Sequence, residues 1–444
     1  MEGFAQQGIE PVPVEGRRLG FWDSAVLWGD LGVGLLVLLA GSFLVPALSP
    51  GQALAAIVVG SVIGVVLLAI TAVIGSRVGM PTMVCLRPAL GLRGSYAATA
   101  LNVLQLLGWT VFELVIMGHA ANAVGRRMLG VDAPALWIAS FGLVVIGLGL
   151  WGPLAVVRQW LEKFAVWIVL LTTAWLTWVL LRGADLGALL AQPGAGGLGF
   201  WPAVDIVIAM PISWLPLVCD YSRFARRPGP AAWGTGLGYL VANVWFYALG
   251  ALILLAVRAS QEPKGFVEAI ALLAGPLVLL VLLVDETDEA WADLYSAAVS
   301  IQNAFPRAAL RPLVFGVGLG CLVLALVFDV TQYEAFLLLV GSVFVPLFGV
   351  LATDYFLVRR SYDPEALLRP GERTGVSAGV SWRGIAAWAG GVLVYLWIAG
   401  KLAPLGLAGL PAVGASLPSL AAAGLTYLLA ARAGAPVPRA PARG

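Results

Sequence analysis

The sequence predicts an all-α integral membrane protein of twelve transmembrane helices, and three observations predict it. Hydrophobic residues make up 60% of the 444-residue chain and charged residues only 11%, too little polar surface to cover a soluble core of that size. Apolar stretches of about 18 residues or more, long enough for a helix to cross a bilayer, recur from one end to the other. These stretches are continuously apolar and do not alternate, which excludes the strands of a membrane β-barrel.

The spans are expected near 24–47, 51–75, 95–124, 134–151, 160–182, 201–224, 233–257, 276–304, 311–329, 332–357, 384–401 and 411–431. Gly and Pro clusters punctuate them: Pro46 with Pro50, Pro134, Pro193, Pro228 with Pro230, Pro306 with Pro312, and Pro404 with Pro411. With the N-terminus inside, all but six of the 26 Lys and Arg residues fall in cytoplasmic segments. The six outside are Arg126, Arg127, Arg182, Arg258, Lys264 and Lys401. That asymmetry follows the positive-inside rule and puts both termini in the cytoplasm of a cell with the chain in its inner membrane.

Residues 1–23 read as a cytoplasmic segment and not a cleavable signal, because Glu10, Glu15, Arg17 and Arg18 precede an apolar run too long for a signal core. Residues 358–383 form the longest polar insert, a cytoplasmic loop, and 432–444 a cytoplasmic tail. A net charge of +2 leaves no footprint for nucleic acid. Cys85, Cys219 and Cys321 lie in separate apolar segments and read as packing residues. The single histidine, His119, excludes a His-rich transition-metal site. Asp220 with Arg223, and Asp354 with Arg359 and Arg360, read as interfacial anchors or inner-gate pairs at the ends of spans 6 and 10.

Inside hydrocarbon, broken helices and buried charges are costly, so they mark function. Span 1 reads WGDLGVG, with Gly29, Gly32 and Gly34 around Asp30. Span 6 reads AMPISWLPLVCDYSRF, with Pro211 and Pro216 bracketing Ser213 and Trp214. Glycine eases unwinding and proline deletes a helix hydrogen bond. Breaks in the first and sixth spans point to an inverted-repeat transporter whose freed carbonyls ligate a cation; equally, Gly and Pro can serve helix packing alone.

Span 3 carries Asn102, Gln105, Trp109 and Glu113 on one helix face. An indole, an amide and a carboxyl there suit a planar heterocycle, which offers a π-face and an edge of donors and acceptors. The alternative is bonding between neighbouring helices with Trp109 as packing. Span 8 holds VDETDEAWADLYSA. Its Asp285, Asp288, Glu289 and Asp293 recur at helical spacing, with Glu286 to one side. At mid-membrane each charge costs roughly 3 kcal/mol, so these acids must be protonated, line a wet cavity or meet a cation. The alternative places the span at 266–284 and the acids in a loop.

At these residues the chain resembles the nucleobase:cation symporter-1 family, and within it the CytX-like branch assigned to hydroxymethylpyrimidine, a thiamine precursor. LNVLQLLGWT, MPISWLPLVCDYSRFARR, DETDEAWADLYSAAVSIQN and FLLLVGSVFVPLFGVLATDYFLVRR carry the resemblance. It implies a LeuT-like fold: inverted repeats at 24–182 and 201–357, then two extra helices at 384–431. It implies a base sandwiched between aromatics of spans 3 and 6. Trp109 matches the span 3 aromatic and Gln105 the nearby amide. Pro211 stands where relatives place the span 6 aromatic, which leaves Trp214 as replacement and Ser213 as a polar contact. Gly34 and Glu113 complete the implied substrate set. A cation site is implied at the carbonyls near Asp30 and Val33 and on span 8, where Asp285, Asp288 and Glu289 stand and the family's hydroxyls are replaced by carboxylates. Relatives carry a glutamate where this chain has Val37.

The expected function is Na⁺- or H⁺-coupled alternating-access import of a pyrimidine-type base, foremost hydroxymethylpyrimidine, with cytosine or another nucleobase as the alternative. No cofactor is expected. The partners are the small-molecule substrate and the lipid bilayer; the oligomeric state is open, a monomer being one option. An ion channel would need a continuous polar path. An enzyme would need a nucleophile with a base, or metal ligands, which the sequence does not supply.

Overall fold

The computed structural model describes residues 8–151, 166–258, 260–327, 332–371, 374–410 and 412–433. Arg158, Lys163, Arg373, Arg439, Arg443, the start of span 5 and most of the tail lie outside the described residues, as does the side chain of Asp285.

The bundle opens with the broken span. Helix α1 (Phe21–Asp30) ends where Leu31-Gly32-Val33-Gly34 abandons the helical ladder, and α2 (Leu35–Ser42) resumes at 59° to it. After Ser49 and Gln52 form a capping box, α3 (Pro50–Val78) runs for 29 residues, about 43 Å at 1.5 Å per residue. Two single turns, α4 (Thr82–Cys85) and α5 (Arg87–Leu90), lead into α6 (Leu92–Leu129), which is followed by α7 (Pro134–Trp151), α8 (Val166–Gly183) and the short α9 (Leu186–Leu190).

The second half repeats the device. Helix α10 (Phe200–Ser213) contains Pro211, which cannot donate to the ladder, and gives way at Trp214 to tight turns before α11 (Val218–Ser222). Bonds from Leu215 N–H to Ile212 O and from Leu217 N–H to Trp214 O replace the α-helical pattern with 3₁₀-type closure. Next come α12 (Pro228–Val257), α13 (Pro263–Ala274), α14 (Pro276–Ala304), α15 (Leu310–Val327) and α16 (Tyr333–Thr353). After a π-helical turn at Asp354–Arg359, α17 (Pro364–Leu368), α18 (Trp382–Ile398) and α19 (Ser416–Arg432) complete the chain.

By length and apolarity, six of the described helices can cross a membrane, and the bent α1–α2 pair makes a seventh. The count of twelve is not reached on that measure. Helix α8 is described only from Val166, helices α10, α18 and α19 are short or lose length to a break, and the acids of α14 lower the apolarity of a helix of 29 residues. The alternative span at 266–284 is overturned: Gly275, at φ 88°, separates α13 from α14, and the acids lie mid-helix with no loop among them.

Helix crossings are backbone-close. A Cβ on Gly238 of α12 would lie 2.3 Å from the Ala25 carbonyl oxygen, and one on Gly250 1.8 Å from that of Leu38. Glycine there lets α12 lie directly on both halves of the broken span. The most extensive pairing is α6 with α14.

One end of the bundle is laced shut. Val12 N–H donates to Gly79 O (2.9 Å), Leu19 N–H to Phe224 O (2.9 Å) and Arg226 N–H to Leu19 O (2.9 Å). The Arg17 guanidinium donates to Ser76 O at 2.8 Å, and Arg223 reaches Gly8 O (2.6 Å) and Tyr295 Oη (2.9 Å). Asp220 is more than an anchor here: its carboxylate accepts the Thr82 N–H at 2.9 Å. Asp354 accepts from Arg359 (3.3 Å), Tyr362 (2.7 Å) and Tyr427 (2.6 Å), tying the π-helical turn to α19.

Candidate functional site

The site is set by the register of α6 against α14. Asn303 donates to Thr99 Oγ1 (2.9 Å) and Asn102 donates to Ser300 Oγ (2.8 Å), so a step up one helix is a step down the other. Eleven residues on from Asn102 is Glu113, and eleven back from Ser300 is Glu289, so the two acids share a level. Glu113 is accordingly within electrostatic reach of both Asp293 and Glu286.

The span 3 stripe keeps its expected face. Gln105 donates through Nε2 to Asn102 Oδ1 and to the main-chain oxygen of Ser213, both at 3.0 Å. The second bond takes up a carbonyl released by the break in α10. Trp109, 5% exposed, meets Phe336 edge-on at 5.2 Å and Tyr333 at 5.7 Å. Tyr333 in turn donates to Leu36 O at 3.2 Å, linking α16 to the broken first span.

Trp214 follows Ser213 directly at the break in α10. Its described ring contact is with Trp28, edge-on at 6.0 Å, and Trp28 also meets Tyr221 and Tyr239. Trp109 and Trp214 are therefore not ring neighbours. The Ser213 hydroxyl turns back to Met210 O at 2.7 Å, leaving its carbonyl as the group that faces α6.

On α14 the structure revises which acids matter. Glu286, set to one side in the sequence reading, accepts the Leu35 N–H at the start of α2. A carboxylate at a helix N-terminus is favoured by the dipole and by the unpaired amides there. Together Glu286 and Glu289 enclose Gly34: a Cβ at that position would lie 3.0 Å from Glu286 Oε1 and 2.9 Å from Glu289 Oε2. The face that meets the broken span and α6 is thus Glu286, Glu289 and Asp293, spaced three and four apart. Asp288 is buried farther round the helix.

Asp30, at the end of α1, is buried, and neither carboxylate oxygen has a hydrogen-bond donor among the described residues. Val33 N–H donates to Asp30 O at 3.0 Å, closing the turn at the break. Helices α1, α2, α10, α14 and α16 carry no Lys or Arg, and those of α6 sit at its ends (Arg93, Arg126 and Arg127). The locus is therefore acidic, with no Lys or Arg on the described helix segments that carry its acids. What it can do chemically is hold positively charged or donor-rich ligands beside an indole face.

A family model described as permease for cytosine/purines, uracil, thiamine, allantoin matches residues 11–413. The chain belongs to that permease family. The hydantoin permease of Microbacterium maritypicum is 26% identical over 78% of this chain and 74% of its own length. The cytosine permease of Escherichia coli (strain K12) is 25% identical, covering 88% of each. Among solved structures, Mhp1, a nucleobase-cation-symport-1 family transporter in a closed conformation with bromovinylhydantoin bound, matches with a TM-score of 0.83 at 24% identity over 97% of this chain and 96% of that one. A Na⁺-coupled sialic acid symporter matches with 0.62 at 11% identity over 96% and 92%. At such identities these structures establish the fold, which is LeuT-like, as the family resemblance implied. The chain is a multi-pass membrane permease.

Tyr333, Phe336, Trp28, Tyr239, Glu286 and Asp293 were not in the expected residue set. For Glu286 a signal existed: Glu286, Glu289, Asp293, Ser296, Ser300 and Asn303 form an unbroken polar stripe at spacings of three and four. The aromatic neighbours had none, since an apolar span is full of aromatics.

Proposed function

We propose that this permease is a secondary active importer of a pyrimidine-type base, foremost hydroxymethylpyrimidine, driven by Na⁺ or H⁺. One observation carries this reading: the breaks of spans 1 and 6, the indole-bearing face of α6 and the acidic face of α14 converge on one buried locus. In the proposal the base stacks on Trp109 and takes edge contacts from Gln105 and Glu113, with Gly34, Ser213 and Trp214 nearby. The coupling cation lies between the turn at Asp30 and Val33 and the carboxylates Glu286 and Glu289, the acids of the α14 stretch that meet the broken span at Gly34. Placement in the CytX-like branch and the two inverted repeats rest on the sequence stretches quoted above, the twelve spans on the recurring apolar runs, and the inner-membrane location and cytoplasmic termini on the Lys/Arg asymmetry.

Alternating access requires that ion and base bind the two states with different affinity. Breaks at the centre of spans 1 and 6 supply hinges where half-helices can tilt without losing a whole ladder. A second reading, transport of cytosine or a hydantoin-like ring, is favoured by the names of the relatives.

Uptake of labelled hydroxymethylpyrimidine, cytosine, uracil and hydantoin into proteoliposomes, under a Na⁺ gradient or a proton gradient, tests this. Accumulation of the first at the lowest concentration, and driven by one of the two gradients, is expected. If no ring accumulates under either gradient, the assignment is wrong.

A further inference from the structure

Three turns of α6 each bear one buried polar atom without a hydrogen-bond partner among the described residues: Gln105 Oε1, Trp109 Nε1 and Glu113 Oε2. Steps of four keep them on one helix face. The orientation of Gln105 is dictated by chemistry. Its amide nitrogen lies 3.0 Å from the Ser213 main-chain oxygen, which can only accept. The NH₂ must therefore face Ser213, and the carbonyl oxygen is left over. Asn102 agrees, since its oxygen accepts from the same NH₂ while its own nitrogen donates to Ser300.

The protein thus consumes the amide donors of this face and leaves acceptors behind. Across from them, Glu286 Oε2 is a further buried acceptor without a partner. Of the three open atoms on α6 only the Trp109 indole donates. No Lys or Arg side chain belongs to the helix segments around them. A buried acceptor left unmet costs about 1–3 kcal/mol, more if charged.

Resting on the function proposed above, we infer that the site selects a ring whose edge is an amidine, an exocyclic amine beside a protonated ring nitrogen. Glu113 is its specificity-determining acceptor, its carboxylate taking both N–H groups of that edge, with the Gln105 carbonyl about two turns away along the same face. An amidinium presents two parallel N–H donors and a positive charge, the pattern a carboxylate pairs with best. An oxo group in place of the amine would set oxygen against a carboxylate oxygen and leave only the lactam ring N–H to donate. Sites built this way reject the mismatched analogue strongly.

The test uses the purified full-length chain in detergent and two ligands that differ at one group, 4-aminopyrimidine and 4-pyrimidinone, titrated by thermal shift. The amine is expected to bind at least about 30-fold more tightly. Glu113→Gln, which can donate as well as accept, should reduce that ratio to below about 3-fold, whereas Glu113→Asp should retain the preference and so exclude misfolding as the cause. Equal or inverted binding in the unmodified protein overturns the amidine edge while leaving pyrimidine transport standing, as does an unchanged ratio in Glu113→Gln. Failure of both rings to bind, with no base taken up by proteoliposomes, removes the inference and the proposed function together.

Discussion

Glu286 offers the sharpest separation of effects. Its Oε1 receives the Leu35 N–H at the head of α2, with the Leu36 N–H beside it. Glu286→Ala removes the acceptor and leaves a buried amide unsatisfied, which costs about 1–3 kcal/mol. Glu286→Gln keeps an oxygen at that position and loses only the interaction of charge with the helix end, about 0.3–1 kcal/mol. Both changes remove the partnerless Oε2 charge, so that gain cancels in the comparison. The alanine variant should therefore melt roughly 1–2 °C below the glutamine variant in detergent, about 1–2 kcal/mol set against an unfolding entropy of about 0.9 kcal/mol/K for a chain of 444 residues. The assay is thermal unfolding of the full-length chain followed by intrinsic tryptophan fluorescence. Identical melting of the two variants would show that no acceptor is needed at the break, and the capping argument would fail. A glutamine variant that melts lower than alanine would mean that the orphaned amide nitrogen, not the lost cap, dominates.

Trp109→Ala should weaken binding of the transported base about 5- to 150-fold, the value of one lost stacking face at 1–3 kcal/mol, whereas Trp109→Phe keeps most of it; equal loss in both would remove stacking from the account. Gly34→Ala places a Cβ against Glu286 and Glu289, so transport should fall at least about tenfold while the amount of protein in the membrane is unchanged; uptake at the original rate would show that the acids can yield freely. Asp205→Asn should lower stability by about 1–3 kcal/mol without altering base affinity, measured by melting and ligand titration side by side. Asp205 now accepts from both Ala415 N–H (2.5 Å) and Ser416 N–H (3.0 Å) at the head of α19, and an amide has one oxygen for the two.

Much of the architecture was legible because the bilayer makes it so. A span must be apolar and a break must be marked by Gly or Pro, so WGDLGVG and the Pro211–Pro216 pair announced the two interruptions. The α14 bounds, Pro276–Ala304, coincide with the expected span because Gly275 and Pro276 mark its start. Helix α13, Pro263–Ala274, was not expected: its twelve residues are too few for a span and sit in what reads as a connection. Side-chain pairing was less legible. Five acids within nine residues can be read on more than one helical face, and the choice among them depends on which neighbour packs there. The neighbours are Leu35 and Gly34, some 250 positions away in the chain. The partners of Trp109 were hidden for the same reason. Tyr333 and Phe336 come from α16 and are indistinguishable in sequence from any other span aromatics.

Helix α14 joins the two things a coupled carrier must connect. Near its middle Glu286 and Glu289 close around Gly34, where the first span is broken. About three to five turns farther along the same face, Ser300 binds Asn102 and Asn303 binds Ser95 and Thr99. At that far end Asn303 also receives Arg87 at Oδ1 (2.9 Å) and at its main-chain oxygen (3.1 Å), and Arg87 continues to Leu367 O at 2.7 Å. Arg87 is 1% exposed, so this network is part of the closed end of the bundle and cannot exchange its partners for water without opening it. An unbroken helix moves as a unit over this length. A ligand that changes how the acids sit against α2 therefore acts, through one rigid element, on the contacts that hold the other end shut. To swing such an equilibrium from 1:99 to 99:1 takes about 5.5 kcal/mol of differential binding. Under the function proposed above, the cation at Glu286 and Glu289 and the base on α6 have to supply that much together.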